Sequence, residues 1–289
     1  MKRLKCFALA TAMLATGALV TACSSNGDEF NTSREISVIR REAGSGTHGA
    51  FIELLGIEVG GVDTTVATAD VSQGTGQVIT TIAGNLYAIG YISLGSLNDT
   101  VTAISIDGVA ATAANVLNNT YPLFRSFEIV PAVNMPELAQ DFIDFILSAE
   151  GQAVVADRNY VMAVTNAPAY VRTEGLSGTI TVSGSTSVAP LMERLQAAYE
   201  YINPGVRIEI QQPGSGAGIT AAMNDTAHIG MTSRPLRANE ADVVSSIDIA
   251  HDGLAVIVHN DSPLTNLTQE QVRQIFTGEL TRWNEVIAE

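Results

Sequence analysis

Cysteine and lysine are nearly missing from this chain. The two cysteines are Cys6 and Cys23, and the two lysines are Lys2 and Lys5. From residue 24 onward the chain therefore has no disulfide, no catalytic thiol and no cysteine-ligated zinc site. The lack of lysine excludes Schiff-base chemistry and a phosphate loop that depends on a lysine. Histidine is scarce too. His48, His228, His251 and His259 show no metal-ligand spacing, so neither a metal nor a cofactor is expected. Positive charge is in short supply: 15 Lys+Arg stand against 30 Asp+Glu, for a formal net charge of −15. Nucleic acid needs a basic face, and this composition argues against it as a partner. The Gly-x-Ser-x-Gly elbow of serine hydrolases is absent.

What is present begins with a targeting pattern. Lys2, Arg3 and Lys5 form a positive start, and Phe7 to Val20 an apolar stretch too short to span a bilayer. The stretch ends in Leu19-Val20-Thr21-Ala22-Cys23, which resembles the lipobox of bacterial lipoproteins. The resemblance implies a signal peptide over 1–22, diacylation of Cys23 and a tether over 23–34. It also implies attachment to the outer face of the bacterial membrane, with two acyl chains giving stable anchoring. The alternative is an ordinary signal peptide with an incidental cysteine. Loss of residues 1–22 takes the charge to −18 and leaves twelve cations, all arginine.

Beyond the tether, strand and helix patterns alternate, which predicts an α/β architecture with mixed sheets flanked by helices. Strands are expected over 36–39, 88–92, 101–106, 127–133, 178–183, 206–211, 228–230 and 255–259. Helices are expected over 48–55, 75–84, 136–147, 151–156, 188–201, 219–223 and 268–276. Thr268 and Gln271 sit at capping-box positions. Residues 166–176 are polar and aperiodic, and read as a linker.

Three Gly/Ser segments run straight into helical patterns: Gly44-Ser45-Gly46-Thr47, Gly184-Ser185-Thr186-Ser187 and Gly214-Ser215-Gly216-Ala217-Gly218. A helix start leaves backbone N–H groups without partners and carries a partial positive charge, so it attracts anions. Each segment alone is equally an ordinary strand-to-helix turn. Together they suggest a small oxyanion wrapped in neutral donors: Ser45, Gly46 and Thr47; Ser185, Thr186 and Ser187; Ser215 and Gly216. Arg41 supplies the cation. Arg40 reads as a surface residue, Arg234 as paired or solvated, and Trp283 as packing.

Around these segments a family resemblance emerges. Residues 179–191 (TITVSGSTSVAPL), 212–219 (QPGSGAGI), 229–234 (IGMTSR), 251–258 (HDGLAVIV) and 275–284 (IFTGELTRWN) resemble the opening half of the phosphate-binding proteins of bacterial phosphate ABC transporters. Residues 41–47 (REAGSGT), 88–95 (AIGYISLG), 121–123 and 142–152 resemble the closing half. The order is exchanged, as in a circular permutation with the usual ends joined through 166–176. The resemblance implies a two-lobed periplasmic-binding-protein-like (type II) fold. It places lobe I over 91–254, lobe II over 35–90 plus 255–289, and crossings near Ala88–Tyr91 and Ala255–Val258.

It further implies inorganic phosphate as ligand, a membrane permease as partner and no enzymatic activity. The phosphate would lie on Arg41 and the three loops, with Ser233 in the next loop. Some family members carry an aspartate there to accept the phosphate's proton, and Asp252 is the replacement candidate, although Asp252-Gly253 equally reads as a turn. The alternatives are an oxyanion sensor or adhesin without a transport role, and a secreted serine hydrolase. Intramolecular closure gives a monomer; exchange of halves between chains gives a swapped dimer.

Overall fold

The computed structural model describes residues 30–157 and 160–287. The signal segment, Cys23 and the tether up to residue 29 lie outside them.

Among the described residues, ten strands join one mixed sheet whose spine is the strand Ile247–His259. Its first half pairs antiparallel with Phe124–Pro131, with Asp252 opposite Arg125. Its second half pairs antiparallel with Ala88–Ser93, with Leu254 opposite Ser93. Outward from Phe124–Pro131 lie Ile229–Thr232, Gly178–Gly184 and Val206–Gln211. Outward from Ala88–Ser93 lie Ser37–Arg41 and Asp70–Ser72, both parallel. The sequence reading found only the last five residues of the spine. Asp248, His251 and Asp252 interrupt the apolar run ahead of them, and only cross-strand partners make that segment a strand.

The two ends of the sheet bury separate cores. One is built on Phe127, Phe142, Phe145, Ile180, Leu191, Tyr199, Ile229 and Ile249. The other is built on Phe51, Tyr91, Ile104, Tyr121, Val256, Phe276 and Trp283. Residues 91–123 were expected with lobe I. Their apolar side chains Tyr91, Ile104, Ile106, Val116, Tyr121 and Leu123 instead pack in the second core. Packing changes sides between Phe124, which still packs against the second core, and Phe127, and again between Ala250 and Leu254.

Local chemistry explains the helix boundaries that matter for the site. Ser45 caps Gly46–Leu54, its hydroxyl accepting from the His48 N–H. The capping box at Thr268 forms as expected at the start of Gln269–Thr277, and Gly278 ends that helix in the left-handed region. Helix Glu137–Leu147 turns Leu138, Phe142, Phe145 and Ile146 inward. Residues 163–177 form no helix or strand.

The ends of the described chain meet. The Ile36 N–H donates to Thr281 O, Trp283 N–H to Arg34 O, and Asn284 N–H to Thr32 O. Phe30 packs edge-on against Trp283, whose indole N–H donates to Tyr87 O.

Candidate anion-binding site

Four helices begin at one place between the two cores: Gly46–Leu54, Thr75–Ala83, Ala189–Ile202 and Ser215–Met223. Each entry uses a glycine at positive φ directly before a hydroxyl residue: Gly44-Ser45, Gly74-Thr75, Gly184-Ser185 and Gly214-Ser215. Glycine alone tolerates this turn without strain. At Gly184 a Cβ would also stand 2.1 Å from Met231 O.

The hydroxyls converge. Thr47 Oγ1 and Ser187 Oγ share a hydrogen bond at 2.7 Å, and Thr75 Oγ1 lies 3.2 Å from Ser187 Oγ. Ser233 Oγ stands 3.0 Å from Ser185 Oγ and 3.4 Å from Ser215 Oγ. Gly46 packs against Ser215 and Ser233 so closely that a Cβ would come within 2.4 Å of Ser215 Oγ. A backbone bond joins the two sides, with the Gly216 N–H donating to Gly44 O at 3.1 Å. Ser45, Thr47, Ser185, Ser187, Ser215 and Ser233 are buried. Thr186 is half-buried and lies, with Thr75, on a groove of about 570 Å³ edged by Gln73, Gln77 and Gln212.

Arg41 is 1% exposed and supplies the cluster's cation. Its Nη2 donates to Thr186 Oγ1 at 2.9 Å and its Nη1 to Thr75 Oγ1 at 3.3 Å. Glu42 clasps the same guanidinium through Nε and Nη2, both at 2.7 Å, and accepts the Gly74 N–H. Burial alone would raise the Glu42 pKa. The hydrogen bonds and charge of Arg41 outweigh it and hold Glu42 below the usual carboxylate range.

The structure thus brings together Arg41, Ser45, Gly46, Thr47, Ser185, Thr186, Ser187, Ser215, Gly216 and Ser233. Asp252 is not among them. Its Oδ1 accepts from Ser93 Oγ at 2.8 Å and its Oδ2 from Arg125 Nη2 at 3.3 Å. Arg125 Nη1 in turn donates to the Ser233 carbonyl, so Asp252 stands one residue behind the hydroxyls. Burial pushes its pKa up to about 6 against the pull of Arg125 and Ser93. Glu42, not Asp252, is the carboxylate bonded to the cluster. Arg234 pairs with Glu240, through two bonds of 2.8 Å, rather than with solvent.

Sequence reasoning missed Thr75, Glu42 and Arg125. Thr75 had a signal, since Gly74-Thr75 repeats the glycine–hydroxyl entry of the other three loops. Arg125 had none: its role depends on a cross-strand neighbour 127 residues away.

The PBP superfamily domain matches residues 171–289. The phosphate-binding protein PstS 2 of Streptococcus pneumoniae serotype 4 is 44% identical over 292 residues, covering 99% of this chain and all of that one. Its namesake from Streptococcus agalactiae serotype V is 40% identical over 293 residues, covering 99% of both chains. Among solved structures, a phosphate-binding protein of a phosphate ABC transporter from Streptococcus pneumoniae TIGR4 aligns with a TM-score of 0.70 and 45% identity. It covers 88% of this chain and 100% of its own. These relatives are named as binding components rather than enzymes. With close to half its residues shared along nearly its full length, and four glycine–hydroxyl helix starts gathered at one place, the chain belongs to the PstS family of phosphate-binding proteins.

Proposed function

We propose that this protein binds inorganic phosphate between two lobes outside the cytoplasmic membrane and delivers it to the permease of an ABC transporter. The observation that carries the reading is the ring of hydroxyls and helix starts around buried Arg41. Such donors fit a tetrahedral oxyanion, and charge-assisted bonds from Arg41 add strength. The net charge of −15 repels anions at long range, but salt screens that beyond about 8 Å, and the local donors decide.

In this reading residues 127–250 form one lobe, and 30–124 with 254–287 the other. The hinge lies in the two stretches between Phe124 and Phe127 and between Ala250 and Leu254, and closure around the ligand follows the usual two-lobe motion. A permuted chain order is supported by two observations. The superfamily domain matches only from residue 171 onward, and the described ends are stitched together like the two sides of a cut loop. Both cores are complete within one chain, which supports a monomer over a swapped dimer. Acylation of Cys23 would hold the protein at the membrane.

Calorimetry with phosphate, sulfate and molybdate tests the ligand. Heat with phosphate and little with sulfate is expected; silence with phosphate sinks the reading. Replacing Ser45 and Thr47 together by Ala removes one hydroxyl of the cluster and the cap of its helix. The expected loss in phosphate affinity is roughly tenfold to a hundredfold. Unchanged affinity would take the 44–47 loop out of the site.

A further inference from the structure

The first turn of helix Gly46–Leu54 carries Thr47 into the anion site, and its next residue faces the other way. His48 is buried, with Nδ1 2.7 Å from Tyr91 Oη and Nε2 2.7 Å from Asp63 Oδ2. Tyr91 Oη also receives the backbone N–H of Arg41 at 3.2 Å. The three contacts form one chain from Asp63 through His48 and Tyr91 to Arg41. It joins the strand end before the anion loop to the helix start after it.

Counting protons fixes the direction of each bond. The Arg41 N–H can only donate, so the Tyr91 oxygen accepts there. The single Tyr91 O–H is then left to donate to His48 Nδ1, which must carry a lone pair. The ring proton therefore sits on Nε2 and goes to Asp63. A second proton on the ring would make Nδ1 a donor. The Tyr91 oxygen would then face two donors, and its own O–H would have to turn away. The surroundings there are apolar: the Tyr91 ring is stacked on Phe51 at 3.7 Å and lies 5.5 Å from Phe276.

We propose that Asp63, His48 and Tyr91 form a proton-sensitive latch on the anion loop, with His48 as a positioning residue that works as the neutral Nε2–H tautomer. The proposal uses the phosphate reading for its binding readout. The charged and titratable groups around His48 are Asp63 on the hairpin of Glu58–Val59 with Val62–Asp63, Arg40 and Arg41 on strand Ser37–Arg41, and Tyr91 on the neighbouring strand Ala88–Ser93. Arg234, already held by Glu240, packs against the neighbouring Gly49. Burial lowers the His48 pKa and both strand arginines add to this, while the bond to Asp63 opposes it. Asp63 stays ionised: burial raises its pKa, but hydrogen bonds from Thr65 and His48 bring it below the usual range.

The test is calorimetry of the whole protein with inorganic phosphate between pH 8 and pH 5, combined with imidazole 15N NMR. Phosphate's own second ionisation affects every variant alike, so the comparison is between variants. Wild-type affinity should fall about tenfold more across this range than that of His48→Gln. Asp63→Asn keeps an acceptor for Nε2–H but removes the charge that favours imidazolium. Its acid limb should therefore move to lower pH, a shift that packing alone would not produce. Identical profiles for wild type and His48→Gln overturn the latch. So does affinity that rises on acidification relative to that variant, as plain attraction between imidazolium and anion would give. Should His48→Gln not fold, the Asp63→Asn shift decides. If phosphate gives no heat at any pH, the functional reading fails, while the NMR still judges the latch: a neutral ring protonated at Nδ1 overturns it, and one protonated at Nε2 upholds it.

Discussion

Arg125→Met should lower the unfolding free energy by about 3–5 kcal/mol at pH 8, and by clearly less at pH 5. Arg125 is buried at the point where the spine strand changes partners. It holds Asp252 at 3.3 Å and the Ser233 carbonyl at 3.2 Å, and lies over the Phe127 ring at 5.3 Å. With Met in its place, Asp252 keeps Ser93 and the Gly95 N–H but loses the cation paired with it. Asp252 titrates near pH 6 in the folded wild type, above the ordinary carboxylate range. A raised folded value stabilises at low pH, and that contribution is lost as pH rises through about 6. At pH 8 the variant must bury a lone charge or take up a proton. At pH 5 both proteins already hold a largely protonated carboxyl, so less is lost. Urea unfolding at the two pH values measures the difference; equal losses would mean that the pairing is not what Arg125 supplies. Adding Asp252→Leu should recover much of the stability, since an apolar pair of similar volume often matches a buried ion pair.

Gly46→Val should reduce phosphate affinity on the order of a thousandfold, about 4 kcal/mol, and leave the fold intact. Gly46 lies on the second lobe, and a Cβ there would meet Ser215 Oγ at 2.4 Å and Ser233 Oγ at 2.6 Å, both on the first lobe. The added atoms would act as a wedge across the cleft, so opening the cleft relieves the clash without unfolding either core. Small-angle scattering should show that phosphate no longer compacts the variant. At Gly84, a helix end with φ −97, a Cβ would meet nothing nearer than 3.5 Å, so Gly84→Ala should behave as wild type in both measurements. A Gly46→Val protein that binds and compacts normally would show that the lobes do not close through this contact.

The parts of the molecule that were legible in the sequence are those set by near neighbours. The entries at Gly44, Gly184 and Gly214, the Thr268 cap and the amphipathic 137–147 helix each depend on a few consecutive residues. The parts that were not legible depend on distant ones. Asp252 beside Gly253 looks like a turn, yet it lies mid-strand because Arg125 and Ser93 satisfy it from both sides. The same dependence moved the lobe boundary. Nothing local in 91–123 says which core Tyr121 or Leu123 will join; the choice follows from the spine strand, half of which was hidden by its polar residues. Arg41 was readable as the cation, but its link through Tyr91 to His48 was not, because 50 and 43 residues separate Tyr91 from its two partners.

The seam between residues 30–36 and 281–287 has a mechanical consequence. Both ends of the described chain lie on the same lobe, pinned by three backbone bonds and the Phe30–Trp283 contact. A load applied between the two ends would shear this short zipper first and would not pass across the hinge. A tug on a tethered end would then peel a few residues while the jaws kept opening and closing at their resting rate. In an optical-trap experiment pulled from residues 30 and 287, a small early rip from the seam should precede unfolding of either core, with phosphate still captured after it.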